Sequence, residues 1–406
     1  MKTHNNIAFH FRRALVVFVL AFALRLIFLI AFPAGPLLSD PWKYYLLAEK
    51  LAETGRYIEI DGSFTAYQPP GTSILLVPFT VLKIRWAMDL LFVLMSSLTA
   101  ALAYLFFIVC GTEERRAFFA GIIFAVLPSG ILYSGFPNSE VPFTLLLFAA
   151  SIVIATRGGE FGFFKAGFVI GVATLFRTLG LMVLPVALWL DYRLTGENFE
   201  LRKFIRRGFL LLAGFAVIVA PLSIRNAIRI GTPSLSTNTG INLFMGNFDG
   251  AHGGYNADAQ ILPDSLPENV RNNEYTSMAV KWMTQNPLRW LSLAPRKIAN
   301  LWTLQAAGIF LRNSPRLKDG VFWFATIHLA WLLILMFAAL AFVKNWNFRS
   351  DPVFALSIVS VVGITLFHVL FFGGGRFRFP VEWVIAYWLA LEFTKKSARK
   401  GLESSE

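Results

Sequence analysis

Long apolar stretches dominate this chain, and a few charged residues interrupt them where chemistry could be done. Asp40 follows the first apolar run in LLSDPWKYY. Glu140 stands with Asn138 and Ser139 in the short gap YSGFPNSEVPF, Arg177 divides two apolar segments, and Arg225 and Asn226 follow another. Arg376 and Arg378 occupy GGGRFRFP before the last run. A charge near the bilayer centre costs about 2.5–3.5 kcal/mol on insertion scales, so such groups face a cavity or one another. Two acids among several arginines suit an anionic substrate whose reaction also needs a base. Guanidinium forks bind phosphate, and nearby cations keep a carboxylate ionised so that it can accept a proton.

Moving a sugar from a polyprenyl-phosphate carrier makes these demands together. The prenyl chain can lie among helices, arginines can stabilise the departing phosphate, and the carboxylate can take the proton of the attacking hydroxyl. With one base and direct displacement at an oxocarbenium-like centre, the configuration inverts. A monophosphate leaving group paired with arginines does not require a metal.

The elements that would position these groups follow from composition. The 406 residues are 56% hydrophobic and 15% charged, and mean hydropathy is +0.59, so the main solvent is the bilayer. Apolar runs this long and unbroken are spanning helices rather than barrel strands. The expected fold is an all-α polytopic membrane protein of about ten transmembrane helices, at 14–32, 87–110, 117–133, 140–156, 163–176, 179–191, 208–224, 320–343, 352–372 and 379–394. The first is read as a retained signal anchor. Basic clusters at 12–13, 115–116, 202–207, 344–349 and 395–400 then fall in the cytoplasm, with Lys83 and Arg85 as exceptions. The net charge of +13 is explained by these loops, so no nucleic-acid partner is expected.

Two extracytoplasmic loops remain, 33–86 and 225–319, within a single membrane domain covering 1–406. YYLLAEKLAE and GTSILLVPFTVLK in the first, and the Trp-rich, basic stretch 272–302 in the second, are expected to form interfacial helices. The candidate residues all fall on this outer side. No cofactor and no metal are expected: His252 has only Asp249 beside it, and His328 and His368 lie in separate apolar runs. Cys110, the one cysteine, cannot form an internal disulfide. No P-loop, dinucleotide fingerprint or Ser-His-Asp grouping occurs.

Several stretches, in order, carry a resemblance: Asp40, LAEKLAETGRY and YQPPGTSILL; then PNSEVPFTLLL; then PLSIRN with GTPSLSTNTGINLFMGN; then GGGRFRFPVEW. Together they resemble the GT-C membrane glycosyltransferases, specifically the family 39 group of protein O-mannosyltransferases and lipid A aminoarabinose transferase. The resemblance runs from about residue 14 to 394 and rests on motif order and placement. It implies a glycosyltransferase of the inner (plasma) membrane, its active site facing the periplasm or exterior. The implied partners are a polyprenyl-phosphate-linked sugar donor, a lipid, glycan or protein acceptor, and membrane lipids. Asp40 takes the place of the family's catalytic base and Glu140 that of its second acid. Arg376 or Arg378 would bind the donor phosphate, and Arg177, Arg225, Gln68, Asn242 and Tyr44 complete the candidate substrate contacts.

The sequence departs from the family in two ways. Pro41 follows Asp40 where the mannosyltransferases have a second acid, and Gln68 stands where the aminoarabinose transferase has lysine. Two other readings share some features. Polysaccharide polymerases and O-antigen ligases also combine many spans with a large outer loop, but keep their charges in late loops. A lipid or solute transporter would place charges at the midplane of broken, repeat-related helices.

Overall fold

The computed structural model describes residues 2–156, 159–304, 313–318 and 321–403. Parts of the second outer loop, 305–312 and 319, and the first residue of the eighth expected span, 320, lie outside it. The described chain is helical, and its nearest approach to strand pairing is an isolated antiparallel bridge between Ile58 and Phe64.

The helices are α1 (Lys2–Ala31), α2 (Ser39–Thr54), α3 (Gly71–Leu82), α4 (Arg85–Val109), α5 (Glu114–Val126), α6 (Pro128–Leu132), α7 (Glu140–Ala155) and α8 (Glu160–Thr174). They continue with α9 (Gly180–Thr195), α10 (Leu201–Ile230), α11 (Thr239–Met245), α12 (Glu268–Gln285), α13 (Pro287–Trp302), α14 (Val321–Lys344), α15 (Pro352–Leu370) and α16 (Trp383–Glu403). By length and composition, Ala8–Ala31, Arg85–Val109, Leu201–Ile230, Ala325–Lys344 and Pro352–Leu370 can each cross a membrane. Most of the remaining expected spans are shorter helices, among them α7 with 16 residues and α8 with 15, and the apolar part of α16 is Trp383–Phe393.

Two boundaries bear on the expected spans. The segments on either side of Arg177 are separate helices, α8 and α9. The third expected span is not one helix, because Pro128 has no N–H to donate and splits it into α5 and α6. Arg25 of α1, 1% exposed, repairs the break: Nη1 donates to the freed Ala125 carbonyl at 2.8 Å and Nε to Ser96 Oγ at 2.8 Å.

Helix α4 forms the middle of the bundle in contact with α1, α5 and α7, and its Phe92, Tyr104, Phe106 and Phe107 are buried. Helices α8 and α10 touch backbone to backbone: a Cβ on Gly167 would lie 1.9 Å from the Leu211 carbonyl oxygen, and one on Gly214 would lie 2.0 Å from that of Phe164. The periphery exposes Leu15, Val19 and Ile27 of α1 and Leu329, Leu340 and Val343 of α14, as lipid contact requires.

Both long inter-span segments are packed onto the bundle. Tyr44 and Ala48 of α2 and Leu76 of α3 pack with Met88, Phe92, Tyr133 and Phe379. In the second loop, Phe244, Tyr275 and Ala279 pack with Phe372. Glu268 joins the loops by accepting from Thr65 Oγ1, the Ala66 N–H and Thr237 Oγ1 at 2.6–2.9 Å.

Candidate active site

Asp40 stands in the first turn of α2 and Glu140 opens α7, so both carboxylates lie at helix N-termini, whose N–H groups favour negative charge. Asn138 sets the chain entering α7: Nδ2 donates to the Tyr133 and Phe136 carbonyls and Oδ1 accepts from the Val141 N–H, all within 2.8–2.9 Å. Arg177 comes from the gap between α8 and α9, and Arg376 from a tight turn, Gly375–Val381, before α16.

These four elements converge. Arg376 Nη2 lies 2.6 Å from Asp40 Oδ2, and Gln68 Nε2 donates to Asp40 Oδ1 at 3.0 Å. Arg376 Nε is 3.7 Å from Glu140 Oε1, to which Arg177 Nη1 donates at 2.6 Å. Arg177 Nη1 also donates to Ser139 Oγ at 3.0 Å. The order Asp40, Arg376, Glu140, Arg177 alternates in charge, and one guanidinium spans both acids. Both arginines also lie against Phe377, with Cζ 5.1 Å (Arg376) and 5.4 Å (Arg177) from its centroid.

Burial opposes the charge on Arg376, but the Asp40 and Glu140 carboxylates outweigh it and hold the guanidinium above its ordinary value. Tyr44 is also raised, by burial first and then by the Asp40 and Glu140 charges, so its hydroxyl keeps its proton and can donate. Glu140 is 2% exposed, whereas the Asp40 and Arg376 side chains keep 29% and 25%. The Asp40 end is therefore the open one.

Residues that follow the cluster along the chain line an apolar cavity of about 410 Å³. Its wall begins within a few residues of the polar groups: Phe143 and Leu147 follow Glu140, Leu179 and Met182 follow Arg177, and Pro380 and Val381 follow Arg376. Lining on α7 continues to Ile154 and on α9 to Leu190, about 16 Å along each helix. On α15 it includes Leu356, Val359, Gly363, Ile364 and Phe367.

Three expected site residues are not part of the cluster. Arg378 is fully buried: Nε meets Glu382 at 2.8 Å, Nη1 donates to the Leu301 and Thr303 carbonyls at the end of α13, and Cζ lies 4.3 Å from the Trp331 centroid. This arginine caps a helix and locks the turn, so its phosphate role is corrected. Arg225 is likewise corrected: its N–H groups go to the Thr65 and Tyr57 carbonyls and to Asn226 Oδ1, holding the first loop. Asn242 lies on α11 and makes no side-chain hydrogen bond among the described residues.

The glycines before Arg376 serve packing as well. A Cβ on Gly373 would lie 1.9 Å from the Lys297 carbonyl oxygen, which sets α13 directly against the turn. Lys297, 0% exposed, donates from Nζ to Asn247 Oδ1 at 2.8 Å and to the Val369 carbonyl at 2.9 Å, while Asn247 Nδ2 donates to the Leu370 carbonyl. A buried ammonium thus satisfies the end of α15 just ahead of Arg376, and burial pushes its pKa down to about 8.

Two chemically active residues near the site carried no clear sequence signal. Glu382 neutralises Arg378 from the edge of an apolar run. His368, within another run, stacks on Phe377 at 5.0 Å. Among the described residues, no group of three or more His, Cys, Asp and Glu side chains could hold a metal ion.

No protein-family model and no curated protein matches the chain. Solved structures do. The chain superposes on the oligosaccharyltransferase AglB of Archaeoglobus fulgidus, in complex with an inhibitory peptide and a dolichol-phosphate, at TM-score 0.57 and 14% identity, covering 99% of this chain and 52% of that one. An Archaeoglobus fulgidus oligosaccharyltransferase in the apo form gives 0.57 at 15% identity, covering 98% and 52%. One in complex with Zn and sulfate gives 0.56 at 16%, covering 95% and 50%. The chain spans about half the length of these proteins. At such identities the fold is what is shared, and it is the fold of the GT-C membrane glycosyltransferases.

Proposed function

We propose that this protein is an inverting membrane glycosyltransferase. It would move a sugar from a polyprenyl-phosphate donor to a lipid, glycan or protein hydroxyl of the cell envelope, on the outer side of the inner membrane. The observation that carries this reading is that residues lining the apolar cavity follow Glu140, Arg177 and Arg376 of the acid–arginine cluster within about one helical turn. A prenyl phosphate has the same two halves in the same order. The dolichol-phosphate bound to an oligosaccharyltransferase of like fold supports the reading.

In this mechanism the prenyl chain occupies the cavity and its phosphate meets Arg376 and Arg177. An anion there competes with the carboxylates for the same N–H groups, so Arg376 releases Asp40 Oδ2 as it takes the phosphate. Asp40, still oriented by Gln68, removes the proton of the acceptor hydroxyl. That oxygen bonds to the anomeric carbon on the face opposite the phosphate. The carbon–oxygen bond to phosphate breaks, and its electron pair leaves with the phosphate, whose added negative charge the two guanidiniums stabilise. Glu140 fixes the spacing of these arginines. Gln68 Oε1 is buried without a partner among the described residues, so it suits a sugar or acceptor hydroxyl.

The test supplies purified protein in proteoliposomes with a panel of polyprenyl-phosphate sugars and cell-envelope extract, and follows loss of the donor. Asp40→Asn should cut turnover at least about a hundredfold, as expected for loss of a general base. Equal turnover by both proteins would remove Asp40 from the mechanism, and no turnover of any donor by the wild type would remove the reaction.

A further inference from the structure

His368 belongs to neither the ion pairs nor the cavity wall, yet it stands where they meet. It is 4% exposed on α15, one residue past Phe367 and one turn past Ile364, both of which line the cavity. Its ring lies 5.0 Å from that of Phe377 with 21° between the planes, and the Phe377 ring also carries Arg376 and Arg177.

Its tautomer follows from its one hydrogen bond. Nδ1 lies 2.9 Å from the Ile364 carbonyl oxygen, which can only accept, so the ring proton is on Nδ1. The neutral imidazole then keeps a lone pair on Nε2, and no described residue donates to it. On a residue only 4% exposed, such an acceptor gains a hydrogen bond when a donor reaches it. A phosphodiester has no proton to give, whereas a sugar hydroxyl does. The hydroxyl nearest the anomeric carbon is also the one nearest a phosphate held by Arg376 and Arg177.

We propose that His368 is a sugar-recognition residue, its Nε2 accepting a hydrogen bond from the hydroxyl next to the anomeric carbon of the donor's glycosyl unit. This rests on the polyprenyl-phosphate donor reading above. It makes His368 a specificity determinant, because a site built to pair a hydroxyl rejects an analogue that lacks it.

The experiment measures binding to the protein in nanodiscs. The probes are undecaprenyl phosphate, a panel of undecaprenyl-phosphate hexoses and pentoses, and the 2-deoxy form of the tightest-binding sugar lipid. His368→Phe keeps an aromatic ring against Phe377 and deletes the acceptor, while His368→Gln restores an acceptor near the position of Nε2. His368→Phe should weaken the sugar lipid about tenfold and leave undecaprenyl phosphate unchanged, and His368→Gln should stay within about threefold of wild type. Wild type should lose about tenfold for the 2-deoxy lipid, which His368→Phe should not distinguish from its parent. Equal weakening of both lipids by His368→Phe, or none, overturns the assignment. If that variant does not fold, equal wild-type affinity for the sugar lipid and its 2-deoxy form overturns it. A wild type that binds the sugar lipids no better than lipid-free nanodiscs removes the donor reading, and this assignment with it.

Discussion

Arg376 and Arg378 are two residues apart on one turn, and each binds a carboxylate, Asp40 at 2.6 Å and Glu382 at 2.8 Å. The first pair joins α2 to the turn across an open hollow and keeps about a quarter of its side-chain surface exposed. The second is sealed at 0%, its guanidinium pressed on Trp331 and its Nη1 bound to the carbonyls at the end of α13. A sealed pair cannot exchange partners, because either ion left alone in the interior is strongly penalised. A pair with solvent access can exchange one anion for another. Identical chemistry therefore builds scaffold at 378 and a candidate site at 376, and exposure separates the two.

Breaking the sealed pair should have the largest effect on folding. Arg378→Met leaves Glu382 buried alone and should cost about 3–5 kcal/mol of stability, read as a lower melting temperature and poor yield in detergent. Whatever folds should still turn over donor at the wild-type rate per molecule. Arg376→Gln should do the reverse, lowering turnover about 10²–10³-fold, as loss of one preorganised charge donor does, with little change in melting. If the two variants shifted melting equally, the contrast between them would fail.

Gly363 sharpens the comparison from the cavity side. A Cβ there meets nothing within 4 Å, and the residue lines the cavity. Gly363→Leu should raise the KM for a polyprenyl-phosphate donor about tenfold while stabilising α15 by roughly 0.8 kcal/mol through helix propensity. An unchanged KM would take the prenyl chain out of this cavity.

A last effect concerns pH. Folded Lys297 releases its proton near pH 8, against about 10.5 in the unfolded chain. Across that window the folded protein binds fewer protons, so this group's contribution to stability rises with pH. Between pH 7.5 and 10, wild type should therefore gain melting temperature relative to Lys297→Gln, and parallel curves would show that Lys297 titrates normally.

Much of the architecture was legible because the bilayer constrains it so tightly. Runs of apolar residues had to be helices, and even the break at Arg177 separating α8 from α9 could be placed. The split at Pro128 was missed because apolar content alone does not reveal where a helix ends, although proline was the available signal. Asp40, Glu140, Arg177 and Arg376 could be collected because each interrupts an apolar run on the same expected side. Nothing in GGGRFRFP distinguished its two arginines, since both lie at the same depth and sequence cannot say which one meets an internal carboxylate. His368 and Glu382 were hidden for a related reason: a lone polar residue in an apolar run gains meaning only from its neighbours in space.

By itself the sequence determined the solvent, the helices and the polar gaps between them, because hydrophobic burial and backbone satisfaction are local demands repeated along the chain. Only the tertiary structure decided which of those polar groups share one hollow and which are sealed into scaffold. Ion pairing and access to solvent depend on distances between helices that are far apart in the chain, and no single segment encodes them.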